Sequence, residues 1–148
     1  MTTSRALKII RASAIYDLVV TVAFALPITA KWVFEGLAVL HSELTLTGST
    51  PDPANAYTVM FANLMGGLVT VWALYRILRP SLAAGVADVG GRVFFSIGMA
   101  GALVAGASPI VLVMLVLEVL WAIVQSAAVV GAVRRRAWTE RAPEPVRL

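Results

Sequence analysis

Glu118 and Gln125 stand seven residues apart within "VLVMLVLEVLWAIVQSAAVV", residues 111–130, a run apolar enough to sit in hydrocarbon. Seven residues are close to two helical turns, so the two side chains share a face with Met114, Trp121 and Ala122. A carboxylate in such a run can give or take a proton, or hold the polar end of a ligand. Asp17 occupies a similar place in "ASAIYDLVVTVAFALPITA", residues 12–30, on a face with Ser13, Thr21 and Phe24 and next to Tyr16. In a third apolar run Asn63, Gly67 and Thr70 share a face. Each of the three runs is thus an apolar cylinder with one polar stripe. Because an unpaired polar group in hydrocarbon costs several kcal/mol, the stripes are expected to face one another.

Depth follows from the rise of about 1.5 Å per residue. Asn63 lies eleven residues after Asp52 and Glu118 ten after Ser108, which sets both at a similar level. Asp17 is six residues past Arg11, close enough to the other surface for Arg92 or Arg76 to reach it. The plain account of Asp17 is therefore a structural ion pair with Arg92. No basic residue falls at the level of Glu118 on this count. The expectation is a protonated Glu118 that hydrogen-bonds to Asn63 or another polar group, either as a structural bond or as an acid facing a cavity.

Helices of suitable length must hold these stripes. The chain has 148 residues, enough for one domain, and 59% of them are apolar, against about 45–50% in soluble domains. Four segments reach the length of about 20 apolar residues needed to cross a bilayer. They cover 12–30, 53–78, 87–107 and 109–133. Asp52 and Pro53 read as the capped start of the second, Pro80 as its stop, and "SP" at 108–109 as the start of the fourth. The first run could also be taken for a cleaved leader ending at "ITA", although Asp17 is foreign to such a segment. The third run is rich in Ser, Gly and Ala, and Gly66–Gly67 lies in the second. Small residues let membrane helices approach closely, so the second and third spans are the expected tight pair, with Gly101 at the contact.

Eleven of the twelve Lys and Arg residues flank one side of this arrangement; Lys31 alone is on the other. Basic loops stay cytoplasmic. The reading is an all-α integral membrane protein, a single domain over 1–148, built as a four-transmembrane-helix bundle in the plasma membrane. Both termini are cytoplasmic and the tail is 134–148, its last residues "EPVRL" expected to be disordered. The outer loop 31–52 begins with a short interfacial segment, in which Trp32, Phe34, Leu37 and Leu40 share an apolar side. "SELTLTGST" alternates apolar and polar residues and is expected to be extended or hairpin-like, and His41 to sit in solvent or headgroups. "RRR" at 134–136 stops translocation and meets anionic lipid.

Several functions are excluded by type. Cysteine is absent and histidine single, which removes thiol chemistry and the common metal cages. No phosphate loop, nucleophile elbow or zinc motif is present, no cofactor is implied, and the basic residues form no nucleic-acid surface. What remains is a bundle that binds an apolar small molecule (lipid, isoprenoid or sterol-like). Glu118 and Asp17 are its polar anchors or acid/base pair, for isomerase- or cyclase-type chemistry if there is turnover. Asn63, Trp121, Gln125, Tyr16, Thr21, Met114 and Thr70 are the candidate ligand-binding residues. Membrane lipids, such a ligand and further copies of the chain are the partners this allows. The alternatives are a scaffold whose polar column only specifies helix pairing, and a small proton-coupled transporter.

Overall fold

The computed structural model describes residues 2–140 and is helical nearly throughout. The stretch 141–148, including "EPVRL" for which disorder was the expectation, lies outside the described residues. The helices are α1 (Thr3–Thr21), α2 (Pro27–Glu43), α3 (Ala56–Leu78), α4 (Leu82–Val104) and α5 (Ile110–Glu140). Three of them, α3, α4 and α5, are long and apolar enough to cross a membrane; α1 and α2 pass the same test only as a bent pair, which brings the candidates to four if the pair counts as one span. The outer faces are apolar, with Leu78, Phe94 and Val104 more than two-thirds exposed.

The first apolar run is not one straight helix. A 3₁₀ turn over Val22–Ala25 and an extended Leu26 separate α1 from α2, and the axis turns by 104°. Pro27 is the cause: it holds the preceding residue in the extended region and has no N–H to continue the ladder. In the 3₁₀ pattern the carbonyl of Phe24 would bond to residue 27, which lacks a donor. Asn63 Nδ2 donates to that oxygen instead, at 2.8 Å. Gly66, one turn further along α3, lets the backbones close over the break; a Cβ there would lie 2.5 Å from the carbonyl carbon of Phe24.

Other boundaries also differ from expectation. Asn55, not Asp52, caps α3: its side chain accepts from the N–H groups of Tyr57 and Thr58, while Asp52 closes a turn onto Ala54. Ser81 caps α4 by accepting from Ala84 N, so this helix starts at residue 82 rather than 87. That five-residue difference moves Arg92 about 8 Å deeper along its helix. α5 runs on through Arg134–Arg136 to Glu140.

The packing is not the one expected either. α4 packs along α5 and α1 along α3, with α1 also against α5; the α3 and α4 backbones lie apart despite their short link and are joined through side chains, Trp72 and Arg76 to Asp88. Gly101 and Gly67 meet no neighbour that a Cβ would approach within 4 Å, so neither glycine is at a tight contact. One end of the bundle gathers the start of α1, the start of α4 and the end of α5, where Ala6, Ala128 and Ala132 form a small core against Ile9 and Leu82. Arg11 Nε donates to Ile77 O and ties the end of α3 to the same region.

At the other end the outer loop is fastened to the α4–α5 turn. Ser49 N donates to Gly106 O at 2.9 Å and Ser108 N to Ser49 O at 2.8 Å, a short parallel bridge rather than a hairpin. Gly48 has φ +98°, and a Cβ there would lie 2.8 Å from Gly106 O, so two reasons call for glycine. His41 is half-buried, with Nδ1 2.8 Å from Ser108 Oγ, not free in solvent. On α2, Ala30 and Phe34 turn inward while Trp32 is exposed on a different side, so the expected shared apolar side does not form.

Candidate functional site

Four helices each contribute two polar or charged side chains on one face. α1 gives Ser13 and Asp17, α3 gives Trp72 and Arg76, and α4 gives Asp88 and Arg92, each pair four residues apart. α5 gives Glu118 and Gln125, two turns apart. Spacings of four and seven keep each pair on one stripe, and the four stripes converge. Arg76 and Arg92 are 0% and 2% exposed. They are therefore core residues and not loop charges marking the cytoplasmic side.

Arg92 reaches all three acids. Its Nη2 is 2.8 Å from Asp17 Oδ2, its Nε 3.2 Å from Asp88 Oδ2 and its Nη1 2.9 Å from Glu118 Oε2. Arg76 bridges Asp17 and Asp88, with Nη1 2.7 Å from Asp88 Oδ2 and Nη2 on Asp17 Oδ2. Ser13 Oγ accepts from Arg92 Nη2 at 2.7 Å. Trp72 Nε1 donates to Asp88 Oδ1 at 3.0 Å, and Gln125 Nε2 donates both to Asp88 Oδ2 and to Gly85 O. The Arg76 guanidinium also lies 5.6 Å from the centre of the Trp72 ring.

The three acids are served unequally. Asp88 takes hydrogen bonds or ion pairs from Trp72, Arg76, Arg92 and Gln125, and Asp17 from both arginines. Glu118 has one contact, through Oε2, and the Arg92 Nη1 that makes it forms no directed hydrogen bond. Three carboxylates thus face two guanidiniums. An uncompensated charge in hydrocarbon is costly, and Glu118 is the acid least occupied by donors.

Where α3 and α4 separate, a cavity of about 630 Å³ opens. Its inner end is closed by the Trp72–Asp88 and Arg76–Asp88 bridges. Ala87, Gly91 and Gly98 line its α4 side, and a Cβ on either glycine would meet nothing within 4 Å. Gly91 and Gly98 thus face space rather than a neighbouring helix, whereas Gly85, nearer the start of α4, packs against Ile10 and Val129. Glu118 and Met114 reach its wall from α5, Tyr16, Asp17 and Thr21 from α1.

Of the residues singled out in the sequence, the structure brings Glu118, Asp17, Tyr16, Thr21, Met114 and Arg92 to this cavity. It does not bring Asn63, Trp121, Gln125 or Thr70 to the wall. Asn63 serves the break after α1 and borders a separate groove beside Lys31. Trp121 packs on Tyr16 with ring centres 5.7 Å apart. Gln125 is fully buried as a brace for Asp88, and Thr70 Oγ1 is buried without a partner. The expected Glu118–Asn63 bond is absent; the partner of Glu118 is Arg92, a basic residue at its own depth. Sequence reasoning missed Asp88 and Trp72; it named Arg76 only as a second candidate partner for Asp17, and the structure pairs the two and buries Arg76 completely. The signal was there in the opposite charges of Asp88 and Arg92 four residues apart inside an apolar helix.

Comparison with protein-family models, curated proteins and solved structures finds no match. Among the described residues no group of three His, Asp or Glu side chains could hold a metal ion.

Proposed function

We propose that the chain is a four-span membrane protein of the plasma membrane, with both termini cytoplasmic, that binds an apolar small molecule in the cavity between α3 and α4. Glu118 is the polar anchor. Asp17 holds the two guanidiniums in place and so positions Arg92 against Glu118. The observation that carries this reading is the cavity itself: ligand sites are mostly apolar spaces of roughly 300–1,000 Å³ with a few polar groups. A polar column that served only to pair helices would have no use for two glycines facing space. The orientation rests on Arg5, Lys8, Arg11, Arg79 and Arg134–Arg136, which remain basic markers at one end after Arg76 and Arg92 are removed from the count. α2, leaving α1 at a steep angle beneath Trp32, fits a segment lying at the outer interface.

The experiment is lipid extraction and native mass spectrometry of the purified protein beside a Gly91→Leu variant. That substitution narrows the cavity from its α4 wall, at a position where an added Cβ meets nothing within 4 Å. The expected result is a co-purifying apolar molecule with the natural chain, absent from a variant of unchanged melting temperature. A variant that is equally stable and retains the same molecule would rule the cavity out as the site.

A further inference from the structure

Charge count and geometry together specify the ligand more closely; this step rests on the cavity reading above. The groups facing Glu118 are Arg92 and Asp88 from α4, Asp17 and Tyr16 from α1, and Arg76 from α3 beyond them; on α5 only Gln125 joins the cluster. With all acids ionised this set holds three negative charges against two positive. Asp88 and Asp17 are fully engaged by donors, so the surplus resides on Glu118. Its second oxygen has no partner, and its side chain forms part of the cavity wall. At its inner end the wall also carries Asp17, Asp88, Arg76 and Arg92, which are paired with one another; the remainder is mostly apolar, and the cavity opens where the α3 and α4 backbones lie apart.

We propose that the cavity takes an apolar molecule bearing one positively charged nitrogen, an alkyl ammonium, which enters from the bilayer between α3 and α4 and pairs with Glu118. In the empty protein Glu118 carries a proton, which offsets the third acid. The ammonium replaces that proton, which leaves to water: one cation in, one proton out, and the cluster stays neutral. A neutral molecule of the same shape makes the same apolar contacts but leaves the proton where it is. The two kinds of ligand therefore differ in their dependence on pH. Binding of the ammonium weakens as pH falls through the titration of Glu118, by up to about tenfold per pH unit, and binding of the neutral molecule does not.

The test uses the full chain in phosphatidylcholine nanodiscs, titrated with dodecylamine and, separately, with dodecanol. Tryptophan fluorescence reports occupancy, because Trp72 lines the cavity. Dodecylamine is expected to bind more tightly than dodecanol and to lose affinity on acidification. Glu118→Gln is expected to weaken dodecylamine by roughly ten- to hundredfold, the size of a charged hydrogen bond, and to leave dodecanol unchanged. Equal affinities for the two probes in the natural chain, or an amine affinity insensitive to both pH and Glu118→Gln, would overturn the inference and leave the cavity reading standing. If neither probe binds, both fall.

Discussion

Arg92 spends each of its three guanidinium nitrogens on a different acid, and this makes it the residue on which the cluster depends. Removing one partner from a buried ion set leaves a bare charge, at a cost of about 3–5 kcal/mol. Arg92→Gln is therefore expected to lower unfolding stability in detergent by an amount on that order. Arg92→Lys should recover little of it, because an ammonium cannot fork toward three acids at once. Glu118→Gln is expected to behave in the opposite way. It leaves two acids against two arginines, and should cost less than about 1 kcal/mol, within the range of a single hydrogen bond. A Glu118→Gln loss as large as that of Arg92→Gln would contradict the charge count.

Helices in this bundle are set by what interrupts them. Pro27 breaks the first span, Asn63 satisfies the carbonyl that the break exposes, and Gly66 allows α3 to lie against it. Gly66→Ala should therefore force backbone apart, with a loss of about 1–3 kcal/mol. Asn63→Leu is expected to cost about 1–3 kcal/mol as well, since it leaves the half-buried Phe24 carbonyl unpaired. Gly101→Leu, by contrast, places its side chain in open space, and its melting temperature should stay near that of the natural chain. Thermal unfolding of the three variants side by side separates glycines that permit contact from those that do not. The distinction was not legible in the sequence. All three residues lie in apolar helices rich in small side chains, and spacing alone cannot say which face meets a helix, a cavity or lipid.

At the scale of the molecule, the start of α1 and the end of α5 lie at one end of the bundle, and the bridge from Ser49 to the α4–α5 turn at the other. The absence of cysteine makes this simple to map. Single-cysteine variants at Ser4 and Thr139 should react with an impermeant thiol reagent only in inside-out vesicles, and one at Thr47 only in right-side-out vesicles. Labelling of Ser4→Cys and Thr47→Cys from the same side would refute the orientation. The cavity between α3 and α4 opens sideways from the bundle, toward hydrocarbon under the proposed membrane placement.

Composition and hydropathy by themselves determined that the chain is helical and long enough in its apolar runs to cross a membrane. Periodicity further placed Asp17, Glu118 and Gln125 each on a polar stripe. Those are local properties: a helix face follows from 100° steps along one segment, whatever that segment packs against. Only the tertiary structure decided which stripes meet. Ser81 caps α4 early and carries Arg92 down to Glu118, a shift of a few residues that changes a lone acid into a member of an ion cluster. The same packing holds α3 away from α4 and turns an expected contact surface into a cavity wall. Neither result could be derived from one segment at a time, because each depends on the relative height and rotation of two helices distant in sequence.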